Sequence, residues 1–475
     1  MKKSGIFISI LISGICWYFS FDLSGDFWYL LWVAPIPVLI VSLNMSARQS
    51  FVIAFVAYLI GRLSWLSYLL TVLPVILAIV FTILLPLIFA LVVVASRKIV
   101  LKQNAWAVFA FPVLCCLFEW LFFIFSGDGT AGSIAYCEAN FLPLIQVASV
   151  TGILGISFLV TLFPSVAALI ITRKHSKKLP MLIALLFIIV SLSFGIIRMN
   201  SNTPAQNSVI AGLAVVDEKF HAETNHPKAG NEILLANMYA NEIKKLAQQG
   251  AQVVVLPEKM INLKDGFADS LKSIIVNSAK NNHTTVVAGY TEFMEDSSKH
   301  NNAWVISGEG NVLADYRKVN LFEGEAMNNF ISGKEIATFN LFNIPSGTAI
   351  CKDMDYGDFI RKYSVAQTQI LYVPAWDFIQ DGWMHSRMAV LRAVENGCAL
   401  VRTARQGRLT ISDYSGKVLY ETSCENNQAA SLIGKINLTA TQTIYSHFGN
   451  WFAYLNLIAA LYFLMIFLFN KRKAK

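Results

Sequence analysis

Apolar residues fill long blocks through the first 200 positions, break into short pieces over the next 250, and form one more block near the end. A block of about 20 apolar residues suits a helix that crosses a hydrocarbon core. On that criterion the chain predicts spans near 5–21, 27–44, 50–69, 73–95, 104–125, 147–172, 179–197 and 451–470, with a tight turn near Leu70–Pro74. The first block follows MKK as a signal peptide would, but no A-x-A cleavage pattern comes after it and further spans do, so it is read as a retained helix. Between Ser201 and Asn450 the periodicity changes. SVIAGLAVV, AQVVVLPE, TTVVAGY, QILYVPA and ALVRTAR read as strands, and ILLANMYANEIKKLAQQ, SLKSIIVNSAK and HSRMAVLRAVENG read as helices. Hairpins are expected at Gly308–Gly310 and Ser415–Gly416. Strands alternating with helices, plus hairpins, predict an α/β domain with helices outside its sheets. The expected organisation is a seven-helix membrane domain (1–200), a soluble domain (201–450) between helices 7 and 8, and an eighth helix with a basic tail (451–475).

Composition agrees with a membrane protein: 55% of the 475 residues are hydrophobic and 14% charged, where a soluble protein carries roughly a quarter charged. The net charge of +8 divides unevenly. Residues 201–450 hold 22 Lys/Arg against 25 Asp/Glu, a net of −3, and the remainder holds 16 against 5, a net of +11. The positive charge therefore belongs to loops beside the membrane, which argues against a nucleic-acid partner. Lys2, Lys3, Arg48, Arg97, Lys98, Lys102, Arg173, Lys174, Lys177, Lys178 and the tail Lys471–Lys475 fall on one side if eight helices alternate. The positive-inside rule makes that side, with both termini, cytoplasmic and puts the soluble domain on the far face. Arg62 and Arg198 break the rule. Arg62 and Glu119 fall inside spans at similar depth, where charge is costly; they are expected to pair, or Arg62 to meet a lipid phosphate.

Three residues of the soluble domain form a candidate site. Glu258 ends VVVLPE, Lys318 follows WVISGEGNVLADYRK, and Cys351 follows SGTAI. Sites in α/β folds gather at the carboxyl ends of strands. A thiol attacks as thiolate, so it needs a base and nearby positive charge: Glu258 suits the base, Lys318 the stabiliser of thiolate and oxyanion, and the backbone N–H of Lys352 a second oxyanion donor. Each residue alone has a plain structural reading; the set is what points to acyl transfer through a thioester. His385 invites a Cys–His reading, but a single histidine on an amphipathic helix is expected to be structural. The seven cysteines show no C-x-x-C metal spacing, and neither metal nor organic cofactor is implied.

The segments LPEKM, YRKVNLFEGE and GTAICKDMDY resemble the nitrilase (carbon–nitrogen hydrolase) superfamily, whose triad is Glu, Lys, Cys in that chain order. Seven helices before this domain and one after it are similar to the apolipoprotein N-acyltransferases of the bacterial inner membrane, as are PLIQVASVTGILGISFLV and TIYSHFGNWFAY. The resemblance implies an αββα sandwich, catalytic Glu258, Lys318 and Cys351, a periplasmic catalytic domain, and a monomer. It implies an acyl chain passed from a phospholipid through a Cys351 thioester to the α-amine of a diacylglyceryl-cysteine. Two departures stand out. The family's Cys-Tyr-Glu is Cys351-Lys352-Asp353 here, with Asp353 and Lys352 as auxiliary candidates, and its loop carboxylate is matched by Glu325, with Glu323 as competitor. Trp376 and Trp383, with Arg62, are the lipid-contact candidates. A membrane-tethered amidase or N-acyltransferase for another amine, and a non-catalytic lipid- or lipoprotein-binding protein, are the rival readings.

Overall fold

The computed structural model describes residues 3–174, 177–201, 207–221, 227–439 and 442–469; Lys2 and the tail Lys471–Lys475 lie outside the described residues. The chain forms two compact units, one made of Met1–Asn200 with Phe448–Lys475 and the other of Ser201–His447.

The first unit is helical: α1 (Lys3–Ser20), α2 (Pro35–Ser42), α3 (Ala47–Arg62), α4 (Leu66–Val72), α5 (Val75–Leu101), α6 (Ala110–Phe125), α7 (Leu142–Ile145), α8 (Ala148–Thr151), α9 (Ile153–Thr172), α10 (Lys178–Asn200) and a final helix, Trp451–Phe469. Among the described residues six helical stretches are long and apolar enough to cross a membrane: Lys3–Ser20, Ala47–Val72, Val75–Leu101, Ala107–Phe125, Ile153–Thr172 and Lys178–Asn200. Where a span is expected near 27–44 the structure has the shorter apolar helix Trp28–Ser42, and the stretch expected near 451–470 coincides with the final helix, of which Trp451–Ile466 is apolar. The span expected from 147 starts later because Gly152, at φ +70°, separates α8 from α9. Pro74 caps α5 and makes the turn after α4. The expected Arg62–Glu119 ion pair is not formed. Glu119 instead accepts hydrogen bonds from the Ser157 and Ser133 hydroxyls and from the Ile134 N–H (2.9 Å), which satisfy its carboxylate without a cation.

The second unit contains β1 (Asn207–Val215), α11 (Ala229–Gln248), β2 (Val253–Val255), β3 (Ile261–Leu263), α12 (Ala268–Asn281), β4 (Thr285–Phe293), β5 (Lys299–Ile306), β6 (Val312–Arg317), α13 (Glu323–Met327), β7 (Ala337–Leu341), β8 (Ile344–Thr348), α14 (Gly357–Val365), β9 (Ile370–Trp376), α15 (Gly382–Asn396), β10 (Ala399–Arg405), β11 (Arg408–Ser412), β12 (Val418–Ser423) and β13 (Ala430–Leu438). One sheet runs β13-β1-β2-β4-β5-β6 with β3 beside β4, and the other β12-β11-β10-β9-β8-β7.

Side-chain alternation along these strands builds three apolar layers. Leu213, Val215, Val253 and Val255 face Ile370, Tyr372 and Val401 between the sheets. Their neighbours Ala214 and Val254 turn to Leu235, Tyr239, Leu271 and Ile275 of α11 and α12. On the other side Leu371, Val373 and Leu400 pack on Ile360, Tyr363, Val390 and Ala393 of α14 and α15. The result is a helix–sheet–sheet–helix sandwich.

Gly289 on β4 is needed for a close approach: a Cβ there would lie 2.5 Å from the Pro257 carbonyl oxygen and 2.6 Å from Glu258 Cα. Both contacts are backbone, so neither can swing away. We expect Gly289→Ala to destabilise the protein by about 1–3 kcal/mol, read as a lowered melting midpoint of the detergent-solubilised protein; an unchanged midpoint would contradict this packing.

Candidate active site

Glu258 lies three residues past β2, Lys318 directly follows β6, and Cys351 opens the turn after β8, so three strand ends converge. The Glu258 N–H donates to the Ala375 carbonyl (3.2 Å) and the Thr403 hydroxyl donates to the Val255 carbonyl (2.9 Å), which tie the strand ends of one sheet to those of the other. Cys351 Sγ lies 3.4 Å from the Trp376 carbonyl oxygen.

Lys318 is 2% exposed and its Nζ donates to Glu258 Oε1 and Glu325 Oε2, each at 2.8 Å. Asn301 on β5 gives one amide N–H to Glu258 Oε1 (2.5 Å) and one to Glu325 Oε1 (2.6 Å). Lys259 Nζ lies 2.5 Å from Glu325 Oε1. Two carboxylates and two ammonium groups thus form a nearly closed, neutral cluster. An ammonium has three N–H bonds, so Lys318 keeps one for a further acceptor, and Glu258 Oε2 accepts no hydrogen bond among the described residues.

Electrostatics follow from this arrangement. Burial disfavours the Lys318 charge, but Glu258 and Glu325 outweigh it and hold the pKa well above its usual value. Burial would raise Glu325, yet Lys318 and Lys259 hold its carboxyl far below the usual carboxylate range. Burial pushes the Cys351 thiol well up, Glu258 adds to the rise, and Lys318 opposes it. At rest Cys351 therefore keeps its proton, and attack requires a base to remove it.

Cys351 (φ +43°) and Lys259 (φ +51°) both hold left-handed backbone, which costs a side-chain-bearing residue about 1–3 kcal/mol. Each is pinned. Asp353 accepts from the Ile350 N–H (3.0 Å) and the Tyr316 hydroxyl (2.6 Å) on one oxygen, and from the Asn320 N–H (2.8 Å) and side-chain amide (3.0 Å) on the other. Tyr316 and Asn320 flank Lys318, so Asp353 fastens the cysteine turn to the lysine segment. Arg405 Nη1 donates to the Lys259 carbonyl (3.1 Å).

The remaining candidates separate. Glu325, not Glu323, reaches Lys318; Glu323 is exposed. Lys352 turns to Asp355 (3.6 Å) and the Phe322 ring. Trp376 is half-buried between Lys259 and Arg405, with its Nε1 on Gln406 (2.8 Å). Trp383 is 7% exposed with Arg387 against its ring, so most of its surface is packed inside the soluble unit. Arg62 belongs to the helical unit. Sequence reasoning missed Asn301, an unremarkable strand residue, and Lys259, whose only signal was adjacency to Glu258. Lys259 and Arg405 also border a cavity of about 170 Å³ with Lys219, His221 and Glu232; Cys351 is not among its lining residues.

His385 is 3.1 Å from the buried Asp381 and takes no part in the cluster. Burial lowers its pKa, but Asp381, Asp355 and Asp377 raise it to about 9. A raised pKa means that the folded protein binds the proton more tightly than the unfolded chain. The stabilisation is complete below the unfolded value of about 6.5 and fades as pH rises through 9. We expect His385→Gln to lower the melting midpoint at pH 6 and to have a much smaller effect near pH 10; an equal loss at both would contradict the charged pair.

A Glu–Lys–Cys set at the strand ends of a four-layer sandwich defines a carbon–nitrogen hydrolase domain, and residues 222–447 match the family model "Carbon-nitrogen hydrolase". Residues 13–166 match "Apolipoprotein N-acyltransferase N-terminal domain". Over 497 residues the chain is 25% identical to the apolipoprotein N-acyltransferase of Geobacter metallireducens, covering 94% of this chain and 92% of that one. Over 402 residues it is 24% identical to that of Rickettsia prowazekii, covering 78% and 79%. The 2-oxoglutaramate amidase of Bacillus subtilis is 27% identical over 181 residues, 36% of this chain and 69% of that one. The chain belongs to the apolipoprotein N-acyltransferase family, within the nitrilase superfamily, and is an N-acyltransferase of the bacterial inner membrane.

Proposed function

We propose that the protein transfers a fatty acyl chain from a phospholipid, through a thioester on Cys351, to the N-terminal α-amine of a diacylglyceryl-cysteine on an apolipoprotein. The observation that carries this reading is the buried Glu258–Lys318 ion pair at strand ends of the domain that carries Cys351, in a chain with six membrane-length apolar helices among the described residues. In this reading eight helices cross the membrane, both termini are cytoplasmic, and residues 201–450 form a periplasmic catalytic domain.

Glu258 takes the Cys351 proton as sulfur attacks the ester carbonyl. The oxyanion is met by the remaining N–H of Lys318 and by the Lys352 backbone N–H. Collapse breaks the ester C–O bond, Glu258 returns the proton to the leaving oxygen, and lysophospholipid departs. The acceptor amine then attacks the thioester, loses a proton to Glu258, and releases the thiol as the C–S bond breaks. Glu325, Lys259 and Asn301 position Lys318 and Glu258, and Asp353 positions the cysteine turn. Exposed apolar side chains in the segments that carry Trp376 and Glu325, namely Phe378, Ile379 and Met327, offer contact to an acyl chain.

The amidase match favours one competitor: a thioester handed to water or another amine. Incubation with phospholipid labelled in its acyl chain tests both. The wild type is expected to form a hydroxylamine-sensitive acyl adduct that is absent in Cys351→Ala and is discharged by a diacylglyceryl-cysteine peptide. No adduct on the wild type would overturn the acyltransferase reading, and discharge at the same rate without the peptide would favour hydrolysis.

A further inference from the structure

Arg62 ends α3 inside the helical unit and is 4% exposed, yet no hydrogen bond or ion pair reaches its guanidinium among the described residues. Its Nε is fully buried without an acceptor. Arg361, Arg392 and Arg402 also bury an unpaired Nε, but each satisfies its outer nitrogens, on the Ser446 carbonyl, Glu395 and Asp377 respectively. Arg62 does not. The carboxylate expected to meet it, Glu119, is already held by Ser157, Ser133 and the Ile134 N–H. The negative end of the α3 dipole compensates a cation only in part.

Arg62 is instead held by rings: its guanidinium carbon lies 4.5 Å from the Trp65 ring centroid and 5.6 Å from that of Phe21. The rings are locked together, since Trp65 Nε1 donates to the Phe21 carbonyl (2.6 Å). Aromatic contact stabilises the charge through the π-faces and forms no hydrogen bond with the N–H fork. A planar fork with unfilled donors matches the oxygens of a phosphate. The next residue, Leu63, is 45% exposed, and Phe27 and Tyr29 are also exposed nearby in sequence to Phe21, so the apolar surroundings suit lipid chains.

We propose that Arg62, flanked by Phe21 and Trp65, binds the phosphate of a membrane glycerophospholipid. That this lipid is the acyl donor rests on the acyltransferase reading; the phosphate site rests on the helical unit alone.

The test uses the full-length Cys351→Ala protein, which cannot form the thioester, so its outcome is independent of acyl transfer. Lipid retention in detergent is measured by native mass spectrometry for phosphatidylglycerol and for diacylglycerol with the same oleoyl chains. Phosphatidylglycerol is expected to be retained at least about tenfold better, the preference to vanish when Arg62→Gln is added, and excess inorganic phosphate to leave it unchanged. Equal retention of the two lipids, which needs no Arg62 variant, would overturn the site. So would a preference that survives Arg62→Gln, or one abolished by inorganic phosphate, which would mark a free-anion site instead. If the lipid preference holds but the wild type forms no acyl adduct, the acyltransferase reading fails and the phosphate site stands.

Discussion

The burial of Lys318 between two carboxylates is the constraint on which the soluble unit depends. Removing an ammonium from water costs several kcal/mol, and only close partners with satisfied hydrogen bonds offset it. Glu258 and Glu325 supply the charge, and Asn301 bridges them. Glu325 in turn needs Lys259, since a single ammonium between two carboxylates would leave a net buried negative charge. No member can be removed without leaving another buried and uncompensated, so the cluster behaves as one unit.

The rest of the sandwich holds this unit in register with a thiol. The two sheets contribute different members: Glu258, Asn301 and Lys318 come from the first, and Cys351 from the second. Asp353 bridges them through Tyr316 and Asn320, and two left-handed residues, Lys259 and Cys351, direct the chain out of the sheet ends. Of these two strained residues, one follows Glu258 directly and the other is the proposed nucleophile. That placement is consistent with a site whose geometry is set before substrate arrives.

Much of this was legible in the sequence because it depends on periodicity and chain order. Apolar blocks located the six long helices, and β-branched runs located most strands of the sandwich. The short hairpin partner β7 gave no comparable signal, and its turn uses Phe342 and Asn343 at positive φ, where a phenylalanine is not a turn marker. Side-chain partnership was less legible. The pairing of Arg62 with Glu119 followed from equal depth and opposite charge, but serine hydroxyls and one backbone N–H satisfy Glu119 at shorter range. The sequence makes Asp353 an auxiliary candidate by its place beside Cys351, but the four hydrogen bonds it accepts are legible only in the fold. Asn301 could not be picked out, because its role exists only once β5 lies beside both carboxylates.

The central claim is that Glu258, held by Lys318, removes the proton from a thiol that burial keeps protonated. The most direct measurement is the single-turnover rate of Cys351 acylation by labelled phospholipid in wild type and Glu258→Gln, followed as pH rises. The account predicts a loss of roughly 10²–10⁴-fold in the variant near neutral pH, with partial recovery at high pH as hydroxide replaces the missing base. Acylation of Glu258→Gln at the wild-type rate near neutral pH would contradict it.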